Sequence, residues 1–489
     1  MVTVSVGQSD IGYNKVLMAC VYGLMQDCQG MINGAMFNLY TPSFYIGYVG
    51  MLSRIINSSA WKRKDTLIYQ TLYPALFQTS SRQCDGASLA FFQGSNLKLT
   101  QTVRVKVNQL AQELNAVMGY WSDGMNFAFA NRKSTDAAID YAPIKLVSTD
   151  DDFTNHRFCR AGVVDTNLPV QETFFFSYLP GATPIPPNQW NANITTCAET
   201  AGDNFGLLMQ CYVARGYAQN AKPNSYSQFT SPIQAGQVSH PTIRGHLAIK
   251  NALSAAIRPD LSTVLRGRHL KVMCVGDSIT FGYRSTSGSG YRSTLGNILQ
   301  AATGPTGYVE FIGSQKNGTA PWDLSEGYSG FTIDQIKQNV LRSNTLDKLP
   351  TLVLVMAGTN DIKPDATDPR TRDPAGAVLR LASLLDSLST RLPKSTTFII
   401  SQIPAQGLPR DFGPAMSSTM RDIMSYNARI AEMVAVKRAA GMKILMARCS
   451  VSVFEHPLGD TLHPDDNGYR RFAGDWVDGV QRAGKLGWL

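Results

Sequence analysis

Short apolar segments alternate with helix-like segments along most of the chain, which predicts an α/β fold built on a mainly parallel sheet. Seven segments read as strands: Val2–Val6, Thr66–Tyr69, Met125–Ala128, Lys271–Val275, Leu352–Met356, Thr397–Ser401 and Lys443–Met446. Each is short and apolar, and each is followed by a loop or a helical pattern. The helical stretches are Val103–Met118, Leu247–Ile257, Thr332–Leu341, Pro374–Leu392 and Met420–Ala440. A chain of 489 residues exceeds one compact core and fits two or three domains.

The break between the halves is local. Leu247–Ile257 reads as a closing helix, Arg258-Pro259-Asp260 ends it, and a basic segment leads into the strand Lys271–Val275. This predicts a first domain over residues 1–258, a linker over 259–267 and a second domain over 268–489. Pro180–Pro187, with four prolines in eight residues, reads as a surface loop.

Composition limits the functional classes. Apolar residues make up 44% and charged residues 17%, as expected of a folded, soluble protein. No apolar run reaches the roughly 18 residues that would span a bilayer. Residues Met1–Val6 lack the basic start and cleavage site of a signal peptide. The net charge is +9, but Lys and Arg are scattered, with Lys62-Arg63-Lys64 the densest run. A solvated basic surface is expected, and no nucleic-acid partner. Six of the eight cysteines fall in the first 211 residues: Cys20, Cys28, Cys84, Cys159, Cys197 and Cys211. Their number and clustering suggest disulfides and an oxidising compartment, with the pairing left open. Sequons at Asn57, Asn193 and Asn317 fit secretion. His156, His240, His246, His269 and His456 are not spaced as a ligand set, so neither metal nor cofactor is expected.

Four segments of the second half carry the chemistry. In the first, the strand Lys271–Val275 runs into Gly276-Asp277-Ser278. The glycine permits a tight turn, and a serine at the carboxyl end of a strand stands where open α/β sheets bind ligands. Near a base it can act as a nucleophile. A second strand ends in Ala357-Gly-Thr-Asn360-Asp361, and the Asn360 amide can donate to a developing oxyanion or simply cap a turn. The stretch Glu326-Gly-Tyr-Ser-Gly330-Phe-Thr-Ile333 offers the Gly330 N–H without a side chain, or is a plain turn before a helix. Asp460-Thr-Leu-His463-Pro464 places an acid and a base three residues apart, close enough to hydrogen-bond.

Taken together, in this order and spacing, the four blocks resemble the SGNH (GDSL-like) hydrolase superfamily over about 220 residues. The resemblance implies a three-layer α/β/α, flavodoxin-like sheet and a carboxylic ester hydrolase. It implies Ser278 as nucleophile, His463 as base and Asp460 as its acidic partner. The Ser278 N–H, the Gly330 N–H and the Asn360 side chain would form the oxyanion hole. Gly290-Tyr-Arg292, Phe311–Ser314 and Glu326–Phe331 resemble acetylxylan-esterase-like carbohydrate esterases, which implies an acylated small molecule or polysaccharide as substrate. Trp322, Tyr328 and Phe331 are placed either to stack on a sugar or to pack in the core. Lysophospholipases share the four blocks, and a binding protein on the same framework is the reading from another class.

The first half is similar to part of a secreted, cysteine-containing SGNH lipase. The resemblance rests on Val2–Tyr13, Cys20 and Cys28, Arg82–Asp85, His156–Cys159 and Ser239–His246. Ser9 stands where the family has its asparagine, and Gln237 stands three residues before His240, where an acid would be. Because no Gly-Asp-Ser strand precedes Val2, this half is expected to be an incomplete, inactive α/β domain, with Met1 an internal start of a longer protein. Family resemblance and cysteine content together imply an extracellular protein.

Overall fold

The structure, a computed structural model, describes residues 2–57, 67–92, 95–133, 143–160, 241–257, 261–362, 373–457 and 460–489, with a few isolated positions between 175 and 219. Asn193, Cys197, Gln237, His240, Lys62-Arg63-Lys64, Pro180–Pro187 and Arg258–Asp260 lie outside the described residues. The chain divides into two units. One comprises Met1–Asn115 and Lys145–Ala256, the other Ala116–Ile144 and Ile257–Leu489.

In the first unit a small sheet runs in the order β1 (Val2–Val4), β2 (Ile68–Thr71), β3 (Ile144–Val147). β1 and β2 are parallel, with Val2 opposite Ile68. Helices Tyr13–Cys20, Cys28–Leu39 and Pro42–Asn57 lie between them in sequence. Disulfides join Cys20 to Cys28 and Cys84 to Cys159, and Cys211 is also disulfide-bonded. The Arg104 guanidinium is fully buried beside the Cys84 segment, donating to the carbonyls of Leu99 at 2.9 Å and Ser81 at 2.8 Å and to Asp85 at 2.8 Å.

One expected strand is a helix. Met125–Ala128 lies inside a single helix, Gln101–Lys133. The alternation Met-Asn-Phe-Ala imitates a strand, but every residue from Leu110 to Asn126 is buried, polar ones included, so this stretch has no exposed face to mark a helical period.

The second unit is organised by strand β4 (His269–Gly276), almost wholly buried. The other strands are β5 (Tyr308–Ile312), β6 (Gln315–Lys316), β7 (Leu324–Gly327), β8 (Leu352–Met356), β9 (Thr397–Ser401) and β10 (Ile444–Ala447). On one side β4 pairs with β8, then β9 and β10 follow, all parallel. On the other side β5 pairs with residues 269–273 of β4, and β7 takes over at Val275 and Gly276. Every residue of β8 and β9 is buried, and this explains the wholly apolar β8 and the apolar centre Phe398–Ile400 of β9: a parallel sheet is covered on both faces.

The helices are set by ordinary terminal signals. Thr332 and Gln335 form a capping box for Ile333–Arg342, and Asp373 caps Pro374–Arg391 with proline in the first turn. Ser417 caps Ser418–Ala439 and Asp465 caps Asp466–Lys485. Helices Tyr291–Thr303 and Asp466–Lys485 pack together through Tyr291, whose ring centroid lies 5.0 Å from Phe472 and 5.8 Å from Trp476. The fold is thus α/β with a parallel-dominated sheet. The first strand is central, and the strand order reverses between β4 and β8. Ligands bind at such a reversal, outside the carboxyl ends of the strands.

Arg292 ties the loops beneath that edge. Fully buried, it donates to the carbonyls of Trp322 at 3.2 Å, Asn317 at 2.8 Å and Thr280. Arg292→Met keeps the stem and strands three carbonyls. It is expected to cost about 3 kcal/mol or more, seen as a lower urea midpoint by tryptophan fluorescence; an unchanged midpoint would show that these bonds contribute nothing net.

Candidate active site

β4 ends at Gly276, and the chain turns at once into the short helix Ser278–Phe281. Glycine is required there, because a Cβ would lie 2.2 Å from the Met356 carbonyl oxygen and 2.3 Å from the Thr280 hydroxyl. Asp277 caps the helix, its Oδ1 accepting from the Ile279 N–H at 3.1 Å. Burial pushes the Asp277 carboxyl up to about 6, while Thr359 and the Ile279 N–H pull it down. Ser278 follows as the first helical residue and is only 3% exposed.

His463 arrives from a turn 185 residues later, and its Nε2 lies 2.9 Å from Ser278 Oγ. Its Nδ1 lies 2.9 Å from Asp460 Oδ2. The other carboxylate oxygen, Oδ1, accepts the backbone N–H of Leu462 at 2.8 Å and of His463 at 2.9 Å. Burial works to raise the Asp460 carboxyl, but the His463 backbone and ring and the Leu462 N–H outweigh it and hold the group below its ordinary range. An ionised carboxylate only accepts, so Nδ1 carries the ring proton and Nε2 is left to accept from the serine hydroxyl. The three side chains therefore form one directed hydrogen-bond chain.

The turn carrying Asp460 and His463 is anchored by its neighbours. The Gly407 N–H donates to the Thr461 carbonyl at 2.8 Å, and the Asp465 N–H to the Glu455 carbonyl at 2.7 Å. The buried Glu455 carboxylate accepts from the Ser452 N–H at 2.9 Å and from Arg471 at 2.7 Å. His456 Nδ1 lies 3.3 Å from the Gly407 carbonyl, and burial pushes this imidazole down to about 4.

Gly330 and Asn360 lie on the loops that follow β7 and β8, the two strands bonded to the end of β4. Gly330 has φ +80°, and among the described residues nothing lies within 4 Å of where its Cβ would be. The buried Asn360 donates to the Phe331 carbonyl at 2.9 Å, tying the two loops together. Asp361 reinforces the tie, accepting from the Ile333 N–H at 3.0 Å and from Arg380 at 2.9 Å. Behind them the Glu326 carboxylate, fully buried, accepts from Ser314 N–H at 2.7 Å, Ser314 hydroxyl at 3.1 Å, Thr345 and Tyr328.

Of the aromatics singled out in the sequence, Trp322 is core. It meets Phe311 edge-on at 5.4 Å, and its ring fills the space where a Cβ on Gly296 would be. Tyr328 is also buried, stacked on the partly exposed Phe331 at 5.6 Å with its hydroxyl committed to Glu326. Tyr283 was not legible. It is 44% exposed, its ring centroid lies 4.6 Å from that of His463, and its carbonyl accepts from Tyr469 at 2.6 Å. Next to it Arg284, with φ +67°, holds its Nε 3.5 Å from Asp460 Oδ2. The asparagine of the third sequon, Asn317, donates through its side chain to the Phe281 carbonyl at 3.0 Å.

Residues 274–471 match the model of the GDSL-like Lipase/Acylhydrolase family. The C-terminal region is a GDSL-like acylhydrolase domain. As such it is a carboxylic ester hydrolase domain, and its parallel-dominated sheet has the SGNH hydrolase fold. Similar solved structures include a family 3 carbohydrate esterase from Clostridium thermocellum, 27% identical, covering 44% of this chain and 98% of that one at a TM-score of 0.35. A family 3 carbohydrate esterase from Talaromyces cellulolyticus is 20% identical over 44% of this chain and 99% of its own, TM-score 0.35. An acetylxylan esterase from Geobacillus stearothermophilus is 20% identical over 46% and 98%, TM-score 0.32. No curated protein matches the chain.

The Asp277 carboxyl gives a pH test. Its folded value, about 6, is raised above the ordinary carboxyl value, so its contribution is fully present at low pH and declines as pH rises through about 6. Asp277→Asn removes that titration and keeps a capping side chain. Relative to the parent, the variant should gain about 2–3 kcal/mol between pH 4 and pH 7 in urea unfolding; a constant difference across that range would contradict the assignment.

Proposed function

We propose that Ser278, His463 and Asp460 carry out two-step acyl transfer, and that the ester hydrolysed is an acetyl group on a carbohydrate. The observation that supports the chemistry is the hydrogen-bond chain from Asp460 through His463 to Ser278 at the reversal point of an acylhydrolase sheet. His463 Nε2 takes the Ser278 proton as Oγ attacks the ester carbonyl. The tetrahedral oxyanion is met by the Ser278 and Gly330 N–H groups and the remaining Asn360 amide hydrogen. As the intermediate collapses, His463 returns the proton to the departing alcohol. Water then attacks the acyl-serine with His463 as base, releasing the acid and restoring Ser278.

The carbohydrate reading is supported by the carbohydrate-esterase resemblance of the loops around Ser278 and by the exposed Tyr283 ring against His463. A flat aromatic face beside the base suits the apolar face of a sugar ring on the alcohol side of the ester. We propose also that the protein is secreted. The disulfides Cys20–Cys28 and Cys84–Cys159 support an oxidising compartment. Among the described residues no helix is long and apolar enough to cross a membrane.

Acetylated xylan and lysophosphatidylcholine, offered in parallel, separate the carbohydrate reading from a lipid-directed one; turnover of only the lipid overturns it. Ser278→Ala should lose at least about 10³-fold in kcat on any ester turned over, together with labelling by a fluorophosphonate. Asn360→Ala should lose about 10²–10³-fold in kcat. Full activity in either folded variant removes that residue from the mechanism.

Tyr283→Ala separates alcohol recognition from chemistry. With acetylated xylo-oligosaccharides KM should rise several-fold, while kcat/KM for p-nitrophenyl acetate stays within about twofold. Equal effects on both substrates would assign Tyr283 to holding His463 rather than to binding sugar.

A further inference from the structure

The acylhydrolase match begins at residue 274, yet residues Ala116–Ile144 belong to the same compact unit. They bring the second half of the helix Gln101–Lys133 against the segments that hold Asp460 and His463. Phe127 stacks on Phe454 with ring centroids 5.0 Å apart and planes 9° from parallel. Phe454 sits in the short turn Val453–Glu455, whose Glu455 anchors the Asp465 N–H at the far side of the Asp460–His463 turn. Phe412 meets Phe454 edge-on at 5.2 Å and Tyr120 at 5.4 Å. Phe412 also packs against Gly124, where a Cβ would come within 2.1 Å of the ring. It ends the segment Gly407–Phe412, and Gly407 donates to Thr461 inside the Asp460–His463 turn. Asp123 completes the contact, accepting from Arg448 at 2.7 Å directly after β10.

We infer that Gly124 and Phe127, with Tyr120 and Asp123 beside them, are positioning residues for the Asp460–His463 pair, so that a helix from outside the acylhydrolase match completes the acid–base half of the site. The inference rests on the acyl-transfer reading above. Its geometry is specific. The helix touches the two loop segments, 407–412 and 453–456, that hydrogen-bond to the turn. A shift of one of these segments by about 1 Å is enough to cost roughly 10²-fold in rate when it misaligns a reacting group.

The test uses the full chain with three variants. Gly124→Ala wedges a methyl group under Phe412. Phe127→Ala removes a partly buried ring and is the milder of the two. Phe127→Tyr retains the stacking and is the rescue variant. The expected result for both alanine variants is folded protein with kcat on a small acetyl ester lowered by about 10- to 100-fold and KM within about twofold, with Phe127→Tyr near the parent. Leu379→Ala, a change at an exposed position on the helix Pro374–Arg391, is the control.

A second readout does not depend on turnover. The proton on His463 Nδ1, shared with Asp460, gives a far-downfield proton NMR resonance in the unliganded protein. It should shift or broaden in the two alanine variants and stay in place in Phe127→Tyr. Folded alanine variants with parental kcat and an unmoved resonance overturn the inference. An inactive parent whose resonance nevertheless moves in the variants sinks the acyl-transfer reading and leaves the positioning inference standing.

Discussion

The geometry of the site depends on how strand β4 ends. β8 borders it along one side as far as Gly276, and on the other side β5 gives way to β7 for the last two residues. The Gly276 carbonyl is then taken by the Tyr328 N–H at 2.9 Å. Adjacent strands are about 4.8 Å apart, so the loops after β4, β7 and β8 must leave the sheet side by side. Ser278, Gly330 and Asn360 are each within four residues of those strand ends. This crowding allows no side chain at Gly276. It also explains Gly358, with φ +121°, where a Cβ would fall 2.4 Å from the Tyr426 hydroxyl that bonds the Ala357 carbonyl.

Crowded loops need directional support, and buried carboxylates supply it. Asp277, Asp361, Glu326 and Glu455 each sit at the base of a loop around the site and accept from backbone N–H groups. Desolvating a carboxylate is costly unless its lone pairs are met. Here the donors meet them, and the geometry they impose is what an apolar residue cannot provide. Burial still dominates for Asp277, Asp361 and Glu455, whose carboxyls are raised. Asp460, less deeply buried and accepting from two backbone N–H groups as well as the imidazole, is lowered instead. One residue type is thus divided by environment into loop anchors and an ionised partner for a histidine.

What was legible in the sequence follows the same physics. Leu352–Met356 and Thr397–Ser401 are legible with their observed bounds, because strands covered on both faces have continuous apolar centres. Tyr308–Ile312 and Leu324–Gly327 were not read as strands, since Glu310 and Glu326 interrupt them and the burial of Glu326 depends on donors from distant loops. Gly276-Asp-Ser278 and Asp460-Thr-Leu-His463 stood out because a turn fixes each locally. Asp277 and Asp361 carry no local mark as anchors, since their partners Thr359, Ile333 and Arg380 come from other segments. Tyr283 has no local signature, and its place follows only from the meeting of two loops 180 residues apart, where Asp466 accepts the Thr286 N–H.

The two halves of the site are held in different ways. Ser278 follows directly from a central strand, so its position is inherited from the sheet and moves only if the sheet does. Among the described residues no strand leads directly into Asp460 and His463. They lie between the exit of β10 and the helix Asp466–Lys485, and their place is fixed by loop-to-loop bonds from Gly407, Glu455 and Asp465. Such bonds are only as rigid as the packing beneath them. Support is therefore worth most under these segments, and that is where the helix Gln101–Lys133 lays Phe127 on Phe454 and Gly124 under Phe412. On the proposed reading the sheet positions the serine, and packing recruited from elsewhere in the chain positions its acid and base.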